Sequence, residues 1–124
     1  MLTAKVRFLT NNLVADLTCR SSDLQTNLQS IGVLTPVNLI RLDNSRTLQI
    51  HLKANNDIGE RIIELVNLKK DTLGRVQRLC RYVYCMNSEN RGKFVKKIEN
   101  GEIKTVVQGI KFAEKMRKNM SIKR

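Results

Sequence analysis

Apolar and polar positions alternate near the start of the chain, where Val6 and Phe8 are interleaved with Lys5 and Arg7. This period of two predicts a half-buried strand, and Asn11-Asn12 predicts the turn into a second strand over Leu13 to Cys19. The stretch SSDLQTNLQSIG then changes period: Leu24, Leu28 and Ile31 recur at i, i+4 and i+7. A short helix is expected there, with Ser22 as its cap, Gln25 completing a capping box and Gly32 as its stop. Pro36 opens VNLIRL, DNSR follows as turn chemistry, and TLQIHL alternates through Leu48, Ile50 and Leu52. Residues 37 to 42 and 47 to 52 are therefore expected to form a hairpin, giving the first half the order β-β-α-β-β.

Beyond residue 57 the period becomes helical. Ile58, Ile62, Leu65 and Val66 mark one apolar side of a helix that Asp57 can cap. A second helix beginning at Asp71 or Thr72 is expected to bury Leu73, Val76, Leu79, Cys80 and Val83. Ser88 is the expected cap of a third, which carries Phe94, Val95 and Ile98 and ends at Asn100-Gly101. Thr105 and Gln108 form a capping box for a fourth, with Val106, Val107, Ile110, Ala113 and Met116 inward. The fold class is thus α+β, a small antiparallel sheet with a short helix followed by a three- to four-helix half. With no repeat and no Gly/Ser/Pro-rich linker, one domain over residues 1–124 is expected, mainly β over 1–53 and helical and basic over 57–119. Only SIKR at the end reads as a frayed tail.

Charge changes this picture. The chain of 124 residues carries 23 Lys and Arg against 11 Asp and Glu, a formal net charge of +12. Residues 1–70 hold 9 basic and 6 acidic side chains, whereas residues 71–124 hold 14 and 5. A basic excess concentrated in the helical half favours a polyanionic partner over a solubilising coat. Cys19, Cys80 and Cys85 are an odd set without disulfide-framework spacing. Together with an opening segment broken by Lys5, Arg7, Asn11 and Asn12, they predict a soluble cytoplasmic protein with no membrane partner.

Candidate chemistry is sparse. His51 is the sole histidine and falls on the polar parity of a strand, where a surface imidazole is expected rather than a general base. Glu60 and Glu64 share a helix side with Arg61 and read as a solvated face. Cys80 and Cys85, five residues apart on a helix, point about 140° away from each other and do not make a metal pair. The glycines are scattered, so no phosphate loop forms. A non-enzymatic chain without cofactor or metal is expected. The basic residues then carry the functional reading: Arg75, Arg78 and Arg81 on the second helix, Lys93, Lys96 and Lys97 on the third, and Lys111, Lys115 and Lys118 on the fourth. Of these, Arg75, Arg78, Arg81, Lys96, Lys97, Lys111 and Lys115 are the expected nucleic-acid contacts, as phosphate-type cations rather than base readers. Tyr82 and Tyr84 are candidates for base stacking or ordinary rim residues. Residues 72 to 100 also admit a helix-turn-helix, although CMNSEN lacks a diagnostic turn.

From Leu13 to Ile103 the order of features resembles the ArdA antirestriction proteins of conjugative elements and phages. The resembling stretches are SSDLQTNLQSIG with its Ile-Gly ending, the expected hairpin, TLGRVQRLCRYVY, and GKFVKKIENGEI. The resemblance implies a small α+β module that acts by binding, used by a mobile element against host restriction. ArdA-like proteins are acidic DNA mimics, and this chain has the opposite sign, so neither mimicry nor any binding residue carries over. The expected partner is nucleic acid or a nucleic-acid-processing complex of host defence. The alternative is a protein-interaction module whose basic face meets an acidic protein or pairs with a second copy in a homodimer.

Overall fold

A computed structural model describes the backbone of residues 1–122 and the side chains of residues 1–117. Strands β1 (Leu2–Phe8), β2 (Asn11–Asp16) and β3 (Leu48–Ala54) form one antiparallel sheet in the order β2-β1-β3. Helices α1 (Ser21–Ser30), α2 (Asp57–Leu65), α3 (Leu73–Tyr84), α4 (Ser88–Glu99) and α5 (Val106–Ile122) complete the chain. The α+β class and the wholly helical second half agree with the periodicity. Leu2, Ala4, Val6, Ala15 and Ile50 face inward from the sheet, while Lys5, Arg7 and His51 face out.

The expected hairpin over 37–42 and 47–52 does not form. Residues Val37–Leu39 make a 3-10 turn after Pro36, and Val37, Ile40 and Leu42 are buried while Leu39 is exposed. That spacing of three and then two is one of a turn entering an irregular segment, which a strand cannot present to one face. The only pairing there is an isolated bridge from Arg41 to Thr72. β3 pairs instead with β1, from Leu2 opposite Ala54 to Phe8 opposite Leu48. Asn44 Oδ1 and Ser45 Oγ accept from the Ile50 and Leu48 amides at the other side of β3.

The first turn also moves. Phe8 pairs with Asn11, so Leu9 and Thr10 form the reversal and both asparagines belong to β2. Leu9 has φ 55, and its amide donates to the Thr47 carbonyl. Asn11, freed from turn duty, donates through Nδ2 to the Ile31 carbonyl and ties β2 to the end of α1.

Helix ends depart from expectation by one or two residues. α1 starts from Arg20, whose guanidinium has no acceptor to cap it. Gln25 is used elsewhere: its Oε1 accepts from the Val37 amide and its Nε2 donates to the Thr35 carbonyl. Gly32, with φ 97, ends that helix as expected. Asn56 caps α2 rather than Asp57, and Asn87 caps α4 rather than Ser88. Thr72 caps α3 through the Arg75 amide. Gln108 donates its amide to Thr105 Oγ1 and accepts from the Lys104 amide, one residue before the position a capping box uses.

One hydrophobic cluster draws residues from both halves, with Phe94, Leu2, Leu17, Leu24, Leu28 and Ile62 among its fully buried side chains. α3 runs through its middle, buried along Leu73, Val76, Leu79, Cys80 and Val83, and its main helical partner is α5. Val107, expected inward, is 40% exposed. Arg91 of α4 secures the far end of α3 by donating to the carbonyls of Val83 and Tyr84. Among the described residues, no helix is long and apolar enough to cross a membrane. Ser121 and Ile122 of the expected tail belong to α5, while its last two residues and the Lys118 side chain lie outside those described.

Candidate nucleic-acid interface

α3 is held at its start by contacts that leave its arginine side open. Leu73 donates its amide to the Ile40 carbonyl, and the helix then crosses the 3-10 turn at Gly74. A Cβ on Gly74 would lie 2.3 Å from Asn38 Oδ1 and 2.9 Å from Asn38 Cα, so only glycine permits this approach. Two adjoining grooves result, bounded by α3, α5 and the turn, of about 420 and 410 Å³. They share Asn38, Gly74 and Arg78, which form a waist between them.

The first groove adds Arg81, Tyr82 and Arg117, and the second adds Arg75, Lys111 and Glu114. Five cations therefore line the pair against a single carboxylate. These cations differ in how they are engaged. Arg75 is half-buried and reaches the buried Asp71 carboxylate at 3.3 Å, with the Lys70 carbonyl at 3.4 Å. Arg78 Nη2 lies 2.7 Å from Glu114 Oε1, its Nε donates to the Tyr82 hydroxyl at 3.1 Å, and its guanidinium stands over the Tyr82 ring. The bond to the Tyr82 hydroxyl, then the Tyr82 and Glu114 charges, pushes Arg78 above the usual guanidinium value. Arg117 covers the same ring at 5.1 Å. Among the described residues, Arg81 and Lys111 have no acidic partner within 4.0 Å.

The seven expected contacts divide. Arg75, Arg78, Arg81 and Lys111 come together on the grooves, whereas Lys96, Lys97 and Lys115 line neither. Lys97 pairs with Glu102 at 3.4 Å and stands over the Phe112 ring, and Lys96 and Lys115 are exposed elsewhere on their helices. Tyr82 is half-buried beneath two guanidinium groups, and Tyr84 is exposed away from both grooves. Asn38, Glu114 and Arg117 were not among the expected contacts. A signal for the latter two exists: Lys111, Glu114 and Arg117 advance by three, the step that Arg75, Arg78 and Arg81 also take. Asn38 has no such signal, because its place depends on the turn that replaced a strand.

The remaining chemistry-bearing groups lie apart. Burial pushes the Cys80 thiol up to about 12, and burial also raises Cys19, whose carbonyl accepts from Gln77 Nε2 at 2.8 Å. His51 is exposed on the outer sheet face as expected, and Arg61 pairs with Glu64 and Glu99 on the solvated side of α2. No group of three or more His, Cys, Asp or Glu among the described residues is placed to hold a metal ion. Comparison with known proteins finds no match to a protein-family model, a curated protein or a solved structure.

Proposed function

We propose that this chain is a non-catalytic, cytoplasmic nucleic-acid-binding protein that holds phosphates in the grooves between α3 and α5. The single observation carrying this reading is the gathering of five cations and one carboxylate around two concave surfaces. Guanidinium and ammonium groups recognise phosphate by charge and hydrogen bonding without reading sequence. The nucleic acid is bound free or within a nucleoprotein complex, with the defence machinery of a host attacked by a mobile element as the setting proposed here. Fluorescence anisotropy with labelled oligonucleotides at several salt concentrations tests it. The double variant Arg81→Ala with Lys111→Ala removes two groove cations that have no acidic partner among the described residues, and should weaken binding and flatten the salt slope by about 1.4, at roughly 0.7 per phosphate of a single strand. A folded protein that binds no oligonucleotide even at low salt would refute the proposal.

A second reading draws on a different feature. Leu34 and Leu39 are 76% and 67% exposed on the segment that supplies Asn38, and Val107 lines the second groove. An acidic protein, or a second copy of this chain, would use Leu39 as an apolar anchor beside the cations. In that case Leu39→Ala costs more affinity than removing any one cation, because interface energy concentrates in a few apolar or aromatic anchors.

A further inference from the structure

We infer that the waist of the paired grooves receives one unpaired base, and that the ligand is therefore single-stranded nucleic acid. This rests on the nucleic-acid reading above and specifies it. Asn38 stands where the grooves meet, and among the described residues its side-chain amide has no hydrogen-bond partner. The amide offers both a donor and an acceptor, the pair of functions with which asparagine meets a base edge. Its position over Gly74 leaves no α3 side chain between the amide and the helix backbone.

Cations stand on both sides of that amide, Arg81 with Arg117 in one groove and Arg75 with Lys111 in the other. Arg75 and Arg81 are six residues apart on α3, about 9 Å along its axis at 1.5 Å per residue. That separation is long enough to seat one nucleotide between the two cation pairs, with its backbone running alongside α3. A nucleotide centred at Asn38 thus has its flanking phosphates within reach of either cation pair. In a duplex the base edges are already paired and lie inside a stacked cylinder, whereas a slot of this size between helices admits a base only when it is splayed out. Tyr82 does not provide the stacking surface, since Arg78 and Arg117 already occupy its ring.

The test compares single-stranded homopolymers with a duplex and with a strand carrying one abasic position, by anisotropy at fixed salt. Asn38→Ala serves as the variant, with its melting temperature compared with that of the parent protein. The exposed, unpartnered side chain makes an unchanged fold the expected result. The single strand should bind more tightly than the duplex, and homopolymers should differ by about fivefold or more, the discrimination of one good base contact. In Asn38→Ala the homopolymers should converge to within about twofold while the salt slope stays as it was, because the phosphate contacts remain. Equal affinity for duplex and single strand, or homopolymer ratios unchanged in Asn38→Ala, overturns this inference and leaves phosphate binding by the grooves intact. Loss of all salt-sensitive binding in the parent protein overturns both.

Discussion

Leu9 and Gly74 are misfits of opposite kind, and each has a measurable sign. Leu9 holds φ 55 in the reversal between β1 and β2 while being 57% exposed, so it bears a left-handed backbone and gains little from burial. Asparagine tolerates that conformation better, because its short polar side chain bonds locally. Leu9→Asn should raise stability by about 0.5–1 kcal/mol in urea unfolding, a part of the roughly 1–2 kcal/mol that such a conformation costs an ordinary residue. Gly74→Ala has the reverse effect. The added methyl meets the backbone of the 3-10 turn as well as Asn38 Oδ1, so rotation of one side chain does not relieve it. A loss of about 1–3 kcal/mol is expected, the usual range for overpacking. Equal stability of Gly74→Ala and the parent would mean that the turn yields and that the waist is wider than described.

At the scale of elements, α3 is fixed from both ends by groups that belong to its neighbours in sequence. Thr72 accepts from the Arg75 amide at its start, and Arg91 donates to its last carbonyls. Thr72→Ala should destabilise the fold by about 1 kcal/mol with an unchanged denaturant slope, and Thr72→Ser should restore most of it, since the hydroxyl rather than the methyl makes the cap. Helices of this kind were legible in the sequence: the buried stripe from Leu73 to Val83 is the one its spacing predicts. Strand pairing was less legible. Val37 to Leu42 and Leu48 to Leu52 both look like strands one at a time, but period two does not say which strand lies beside which. The pairing that forms joins Phe8 to Leu48 across the intervening α1. The candidate interface was half legible for the same reason. Arg75, Arg78 and Arg81 are adjacent along one helix, whereas Asn38 and Arg117 meet them only through tertiary packing.

For the whole molecule, net charge sets the strength of attraction and the placement of acids sets where it acts. Most of the other carboxylates of the helical half are paired away from the grooves: Glu99 with Arg61, Glu89 with Lys93, and Glu102 with Lys97. Two stay with groove cations: the buried Asp71 with Arg75, and Glu114 with Arg78, the latter an exposed pair of the kind that contributes only about 0.2–1 kcal/mol. A phosphate can displace so weak a partner. Glu114→Gln should therefore tighten oligonucleotide binding by about two- to fivefold at low salt, an increase that converges with the parent as salt screens both. Weaker binding by this variant would mean that Glu114 orients Arg78 for the ligand rather than competing with it. The sheet order has a consequence of another sort, in time rather than in space. β1 is synthesised before either neighbour yet becomes the middle strand, and its hairpin with β2 can form as soon as Asp16 has emerged. Its other edge stays unpaired until β3 arrives behind α1 and the turn, so the nascent chain carries an open strand edge through that interval, and long-range closure onto it is the step expected to govern the folding rate.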